Sequence, residues 1–539
     1  MNIKHKLREA IKNSLGIEAE LTEPKDSKFG DYSTSIAFTL ADQTSPPMKV
    51  AKELVPRLKL SPGFVDHVEI GGTGFINFWL NKNFIYKSLA KILEEGEKFG
   101  SSNLGNNKKG LVEFVSANPT GPLVVANGRS AAVGDSLVRI LNFTGYRANS
   151  EYYVDDCGKQ IDLLEQSICA RYDELEGKKA EIPEGGYQGE YIKEIARELK
   201  SRSVSQYAPT DNFREYGVNS IINLHKGTLE RFGVKFDRWV YESNIRKSGS
   251  PQKVIDSISK KGLALKKDGA LWLKVADDKE KVLVKRDGKF TYLVPDIAYH
   301  LDKISRGYDL LIDLFGPDHL SHIEELKAGL SACGTQVDKL KTIIVQWVTL
   351  IKEGEKIGMS KRKGEFVPLD ELLDDVGKDV ARFFFLTRKC ESHLDFDIEL
   401  AKRESKENPV YYVQYAYARI SSILRLASEQ KIQPRISRDE REPCSPDFSL
   451  LKESEELLLI RKLIHFPEIV EHASKELSPH YIPFYLLELA TLFHNFYEKH
   501  KVLLDDRKLM QARIGLIKAV RQVIANGLSL IGIETPEKM

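Results

Sequence analysis

The stretch Val112-Glu-Phe-Val-Ser-Ala-Asn-Pro-Thr-Gly-Pro-Leu123 runs straight into Val124-Val-Ala-Asn-Gly-Arg-Ser-Ala-Ala-Val-Gly-Asp135. The apolar run Leu111 to Val115 reads as a strand, and it ends in a loop carrying Pro119, Gly121 and Pro122. Small residues then continue through Leu141 in a helical pattern. Strand, tight loop and helix N-terminus together present backbone N–H groups and the positive end of a helix dipole to a phosphate. Glu113, Ser116 and Asn118 stand at the strand's carboxyl end, where open parallel sheets bind their ligands. The plain alternative is a packed βα unit without a ligand.

A second element changes the balance. Gly358-Met-Ser-Lys-Arg-Lys-Gly364 is a short basic loop, followed by Glu365-Phe-Val-Pro-Leu. Lysines on a glycine-flanked loop suit a transient grip on a pyrophosphate leaving group. Taken alone, the loop reads equally well as a solvated basic turn.

Working outward, the patterning predicts an α/β chain of several domains, since 539 residues exceed one ordinary core. Residues 1–85 form an α/β unit. Its helices are expected over Ile3 to Leu15 and Met48 to Leu58, with strands over Val65 to Ile70 and Gly74 to Trp79. A helix and a polar loop, residues 86–110, lead into a parallel-sheet core over 111–404. A polar insertion at about 172–289 interrupts the core and carries helices and a strand pair. From 405 to 539 the pattern is helical, with long amphipathic stretches at Val410 to Glu429, Leu450 to Ala473, Ile482 to Lys501 and Leu509 to Gly532. The linker Pro434 to Pro446 divides them.

A net charge of +2 leaves no global basic field, so a polyanion has to be held by local basic faces. The five cysteines, Cys157, Cys169, Cys333, Cys390 and Cys444, have no paired spacing. That speaks against a zinc knuckle or disulfide framework and leads to the expectation of no fixed metal and a cytoplasmic setting. The first residues read as a charged amphipathic helix, and no run of eighteen apolar residues occurs.

Paired in this order, the Pro-Gly loop and the lysine loop resemble the two ATP motifs of class I aminoacyl-tRNA synthetases. The resemblance sharpens to arginyl-tRNA synthetases and covers essentially the whole chain. It is carried by Phe29-Gly-Asp-Tyr32, Gly72-Thr-Gly-Phe-Ile-Asn77, Ser116 to Leu123, Glu151-Tyr-Tyr-Val-Asp-Asp-Cys-Gly-Lys-Gln-Ile161 and Phe290 to Leu301. Further along it continues through His393 to Asp397, Asn408 to Arg419 and Val520 to Leu530.

The resemblance implies a Rossmann-type catalytic core, a small N-terminal domain that touches the tRNA elbow, and a C-terminal anticodon-binding bundle. It implies activation of L-arginine with ATP and Mg²⁺, then transfer to tRNA(Arg), by a protein that is a monomer. By the same carry-over, Glu113, Ser116 and Asn118 meet the amino and carboxylate groups of arginine. Glu242, Tyr292 and Asp296 meet its guanidinium. Two acids facing a planar cation make chemical sense of that set, although Asp296 could instead cap the helix that follows it. ATP is assigned to Pro119, Thr120, Gly121, Asn127, Gly128, Gly316, Asp318, His319, Met359, Ser360 and Lys361, with Gln346 and Trp347 near the adenine side. RNA contacts fall on Tyr32 and Asn77, with Lys28 and Asp31 beside them, and on Gln414, Arg419 and Lys501.

One departure matters. The family's His-Val-Gly-His falls on Val124, Val125, Ala126 and Asn127, so both histidines are absent. Losing one transition-state donor costs about 3 kcal/mol. The expected compensation is by Lys361, Lys363, Asn127, Arg129 and the helix N-terminus. The substitutions keep a second reading open, a catalytically impaired paralogue that binds tRNA or protein. A glutamyl or cysteinyl synthetase is a lesser third, lacking the expected pocket cations or zinc-ligand cysteines. If Lys361 carries the phosphate charge, Lys361→Ala is expected to slow the chemical step by about 10³ or more with tRNA affinity nearly unchanged. A single-turnover measurement checks this, and a loss below about tenfold would move the role to another group.

Overall fold

Five strands run parallel in the order Leu340–Ile344, Leu310–Phe315, Lys109–Glu113, Arg147–Val154, Arg238–Tyr241. The computed structural model describes residues 2–24, 26–203, 212–274, 280–357, 367–429 and 446–539. The lysine loop with Met359, Ser360, Lys361 and Lys363 lies outside the described residues, as does nearly all of the linker from Pro434.

The first strand, Lys109–Glu113, is the centre of the sheet. The chain builds outward on one side through Arg147–Val154 and Arg238–Tyr241, then returns to build the other side. The order therefore reverses between Lys109–Glu113 and Leu310–Phe315, and a crevice opens at their carboxyl ends. Glu113 is in register with Asp313 at that point. Val112, Leu311, Ile312, Tyr152 and Val154 are all buried, because both faces of the sheet are covered by helices.

The helix Val125–Phe143 crosses one face at very close range. A Cβ on Gly134 would lie 2.1 Å from Phe114 Cγ, so glycine here sets how near the helix can approach the strand. That approach holds the helix N-terminus over the crevice.

The N-terminal domain is a three-stranded antiparallel sheet with Phe75–Leu80 between Tyr32–Thr34 and Val65–Gly71, packed on helices Ile3–Leu15 and Pro47–Leu54. Ile3, Leu7, Ile11 and Leu15 form the buried stripe of the first helix, and Asn2 caps it by accepting from His5 N at 2.8 Å. The insertion holds three long helices, Lys159–Leu175, Glu190–Ser203 and Phe213–Arg231. Its sheet has three strands rather than the expected pair. The extra one, Ala264–Lys267, alternates poorly and pairs antiparallel with Ala270–Lys274.

A second small sheet, Glu355–Ile357, Val348–Lys352 and Leu394–Asp397, was not anticipated. It fixes one root of the lysine loop. The other root is fixed where Leu369 N donates to Leu123 O at 2.8 Å and Pro368 bridges Val124. Both ends of the loop are thus anchored to the core, one of them directly on the Pro-Gly motif.

The C-terminal bundle comprises Pro409–Glu429, Ser454–Ile464, Phe466–Lys475, Tyr481–Lys499 and Arg507–Leu530. The single helix expected over 450–473 is two helices. Pro467 lacks an N–H and is tolerated only in the first turn of a new helix, so the chain breaks at His465. Among the described residues no helix is long and apolar enough to cross a membrane.

Gly134→Ala is expected to destabilise the folded chain by about 1–3 kcal/mol or more through overpacking against Phe114. Urea unfolding monitored by circular dichroism reads the effect, and an unchanged midpoint would show that the helix can shift freely on the sheet.

Candidate active site

The crevice floor is ionic. Lys303 is fully buried and lies between the two strand-end acids, bonded to Glu113 Oε2 and, at 2.7 Å, to Asp313 Oδ1. His300 Nε2 meets Asp313 Oδ2 at 2.7 Å, and its Nδ1 meets Asp296 Oδ1 at 3.0 Å. His322 Nε2 bonds Asp296 Oδ2. The spacing explains the cluster: Asp296, His300 and Lys303 are four and three residues apart on the helix Leu293–Ser305 and share one face. That face lies on Glu113 and Asp313, which project from adjacent strands.

The electrostatics follow from burial opposed by pairing. Burial pushes the Glu113 carboxyl up despite Lys303. Burial also raises Asp313 and Asp296, but Lys303 and His300 outweigh it at Asp313, and His300 and His322 hold Asp296 far below the usual carboxylate range. His300 is opposed by burial and by Lys303, yet Asp296 and Asp313 push it up to about 10. Removing one partner from such a set typically costs about 3–5 kcal/mol.

Asp296 is therefore not a helix cap. The helix begins at Leu293, one turn earlier, and the carboxylate is held by two imidazoles. Tyr292 is 63% exposed, with its ring 5.1 Å from His322. Glu242 is buried at the start of the helix Glu242–Lys247, just past the carboxyl end of the strand Arg238–Tyr241. Its Oε2 accepts from the Tyr153 hydroxyl at 3.1 Å. Burial and the negative charges of Glu242, Asp296 and Asp155 all drive the Tyr153 phenol upward. Tyr153 thus brings the two sequence-predicted acids into one field. It stacks on Tyr299 at 4.5 Å, and Tyr299 in turn donates to Glu151 at 2.7 Å.

The neighbouring loop is strained. Val115 and Ser116 both have positive φ, 67° and 37°, which costs of order 1–3 kcal/mol each where a side chain is present. The surroundings fix it. Val115 N donates to Ser130 Oγ at 3.1 Å, and Ala117 N donates to the Tyr152 hydroxyl at 3.0 Å. Ser116 Oγ donates to Glu113 Oε1 at 2.9 Å and accepts from Tyr153 N at 3.1 Å. Asn118 Nδ2 donates to Gln160 Oε1 at 2.8 Å. Thr120 O accepts from Tyr191, and Gly121 O pairs with His225 Nε2 at 2.8 Å, while Pro119 is buried. Glu113, Ser116, Asn118, Glu242 and Asp296 accordingly gather at one end of the sheet.

Several expectations change. Arg129 is wholly buried and donates to Gln346 O, Ser392 O and Lys389 O at 2.9 to 3.0 Å, so it ties the core together and is not a spare phosphate cation. Gly128 faces inward; a Cβ there would meet Leu369 at 2.6 Å, so its smallness serves packing rather than ATP contact. Asn127 Oδ1 accepts from Val124 N at 2.9 Å and thereby secures the helix start. Val124 has no side-chain acceptor to return the bond. Gly316, Asp318 and His319 form the turn after the strand Leu310–Phe315, with Asp318 and His319 exposed. Trp347 is 52% exposed, not core.

The RNA candidates divide. Tyr32 is buried, donates to Glu468 at 2.6 Å and stacks on His465, so it clamps the N-terminal domain to the bundle. Asp31 is buried and paired with Arg461. Asn77 is buried and accepts from Ser33 at 2.7 Å. Gln414 is buried too and donates to Asp379 and to Glu534 O, both at 3.0 Å. Each is a packing residue whose partner is remote in sequence. Lys28 and Lys501 are exposed, and Arg419 is half-buried over the rings of Tyr415 and Tyr497. Among the described residues, the one group spaced to share a metal is Glu23, His465 and Glu468, at the domain junction and away from the crevice.

Sequence reasoning missed Tyr153, Asp155, His300, Lys303, Asp313 and His322. The signal was present in Asp296-Ile-Ala-Tyr-His-Leu-Asp-Lys303 and in the acid inside Leu310-Leu-Ile-Asp-Leu-Phe315.

His300 has a folded value of about 10 against an ordinary 6.5, so its contribution to stability is complete below about pH 6.5 and is lost as pH rises through 10. The thermal stability of the wild-type chain, read as its unfolding midpoint, is expected to fall from pH 7 to 10 more steeply than that of His300→Gln. Parallel curves would remove His300 as the titrating group.

Comparisons with known proteins agree with this geometry. Residues 1–80 match the arginyl tRNA synthetase N terminal domain, residues 88–385 the class I (R) tRNA synthetase catalytic domain, and residues 413–539 the DALR anticodon binding domain. The arginine–tRNA ligase of Caldanaerobacter subterraneus is 42% identical over 97% of this chain and 94% of its own. That of Oceanobacillus iheyensis is 41% identical, with 99% of each chain covered. The solved arginyl-tRNA synthetase of Thermus thermophilus is 23% identical and superposes with a TM-score of 0.80 over 99% of this chain and 100% of its own, a likeness of fold. The catalytic match alone spans more than half of the sequence, both relatives are matched almost end to end, and the chain belongs to the arginyl-tRNA synthetases.

Proposed function

We propose how the residues of this chain divide the work of an arginine–tRNA ligase. The carboxylate of arginine attacks the α-phosphate of ATP, pyrophosphate leaves, and the arginyl group then passes to the terminal ribose of tRNA(Arg). The attacking group belongs to the substrate, so the protein's task is alignment and charge stabilisation.

The observation that carries this reading is that Glu242 and Asp296 both lie at the carboxyl end of the sheet, Glu242 bonded to Tyr153 and the charges of both felt by that phenol. Two carboxylates around a phenol suit a planar cation with several fixed donors. Tyr292 closes the exposed side beside His322. Ser116 and Asn118 receive the amino-acid end, above a Glu113 whose two oxygens already have partners in Ser116 and Lys303. Glu113 acts there by its charge and by holding Ser116.

The triphosphate lies across the loop 119–121 and the N-terminus of the helix Val125–Phe143, whose first N–H groups have no acceptor inside the helix. Mg²⁺ arrives with ATP and keeps most of its waters. The remaining positive charge on the phosphates comes from Lys361 and Lys363. Their loop is rooted at Ile357 and at Pro368, and the second root pairs with Val124. For tRNA, the half-buried Arg419 and the exposed Lys501 on the bundle and the exposed Lys28 on the N-terminal domain are the contacts. Tyr32, Asp31 and Gln414 hold the domains in the relative positions that one RNA would bridge.

Charging of purified tRNA with labelled arginine tests the reading. Arginine is expected to be charged and citrulline rejected, because citrulline lacks the cation. Asp296→Asn should weaken arginine use by roughly 2–4 kcal/mol in kcat/KM. Efficient citrulline charging, or an unchanged Asp296→Asn enzyme, would contradict the two-acid pocket.

A further inference from the structure

Glu242 is already paired before any substrate arrives. Its Oε1 accepts from Arg246 Nε at 2.6 Å and lies 2.5 Å from Arg246 Nη2, one helical turn away, while Oε2 accepts from Tyr153. A guanidinium of the chain's own therefore occupies the acid that the substrate guanidinium needs. Adding a second cation there without adding an anion would leave an uncompensated charge in a largely buried site.

A second acid stands beside it. Asp155 is half-buried and follows the strand Arg147–Val154; Val154 is in register with Tyr241, so Asp155 and Glu242 are the next residues at the ends of two adjacent parallel strands. Its neighbour Asp156 turns away to accept from Ser243 N at 2.8 Å and Ser243 Oγ at 2.6 Å, which fixes the start of the helix Glu242–Lys247. Two neighbouring carboxyl groups in a part-buried site resist ionising together, and burial with the Glu242 charge favours the protonated form of Asp155. Glu242, Arg246 and a protonated Asp155 thus form a neutral set in the empty pocket.

We propose that Asp155 is a third acid of the arginine pocket, and that arginine binds with release of the Asp155 proton to solvent. The balance is simple: one guanidinium enters, one proton leaves, and Arg246 keeps its place on Glu242. The groups facing Asp155 agree with that role. Burial comes first and Glu242 second in pushing its carboxyl up to about 7, opposed by the Cys157 amide and by Arg246. Tyr153 feels Glu242, Asp296 and Asp155 together, so the three acids share one field. The inference rests on the arginine-pocket reading above and adds to it a specificity residue and a pH dependence.

Calorimetric titration of the full chain with L-arginine, in two buffers of different ionisation enthalpy, measures the proton directly. Below pH 7 a proton should leave as arginine binds, and the release should fade as the pH rises above it. Affinity should rise about tenfold per pH unit below pH 7 and level off above it. Asp155→Asn should bind arginine more weakly than the wild-type chain above pH 7, release no proton and give a flat profile. No release from the wild-type chain, or release that persists in Asp155→Asn, overturns the proposal; the former outcome would mean that Arg246 vacates Glu242 instead. Glu242→Gln separates the two claims. If it binds arginine normally, the pocket itself is misplaced. If it binds weakly while Asp155→Asn keeps its proton release, only the role of Asp155 fails.

Discussion

Lys303 is the interaction on which the rest of the site depends. Two acids at the ends of adjacent parallel strands, Glu113 and Asp313, face each other in register where the sheet reverses its order. Alone they would repel, and each would bear the cost of burial. A lysine with no exposed surface, delivered by the helix Leu293–Ser305, bridges them. That bridge closes the crevice floor and brings His300 and Asp296 to their places one and two turns earlier on the same helix. From there paired groups run outward: Asp313 to His300, His300 to Asp296, Asp296 to His322. The arrangement fixes the direction of Asp296, since His300 on one side of it is itself held by Asp313.

The consequence for function is a pocket whose acids are fixed before the substrate comes. Preorganised charge in a site shielded from water is worth more than the same charge in solvent, and it needs no rearrangement during the reaction. The strained backbone at Val115 and Ser116 belongs to the same design. It turns Ser116 back onto Glu113 and Tyr153, where an extended continuation of the strand would carry it away. The helix N-terminus is held over the crevice by close packing at Gly134, and the root of the lysine loop is pinned to Val124.

The fold was largely legible because its signals are local. Alternation and periodicity marked two of the three N-terminal strands, the first βα unit and most of the bundle helices; Tyr32–Thr34 is too short to show a pattern. Where the reading failed, the reason was also local: Pro467 splits a helix that hydrophobic periodicity alone would join, and Ala264–Lys267 alternates too weakly to be recognised as a strand. The site was legible in its acids but not in their partners. Glu113, Glu242 and Asp296 could be marked from resemblance, whereas Lys303, His300 and Tyr153 become site residues only when helix and sheet are brought together. The RNA candidates show the same limit from the other side. Tyr32 and Gln414 look like exposed recognition groups in sequence, yet their partners, Glu468 and Glu534, lie far along the chain and bury them.

The central claim is that the guanidinium of arginine is held at the carboxyl end of the sheet between Glu242 and Asp296, beside Tyr153. A crystal structure of the chain with L-arginine bound tests it most directly. The account predicts a guanidinium within hydrogen-bond reach of both carboxylates, with the amino-acid end toward Ser116 and Asn118 and Lys303 unmoved beneath. A guanidinium bound away from either acid, or Lys303 withdrawn from Glu113 and Asp313 to admit it, would contradict it.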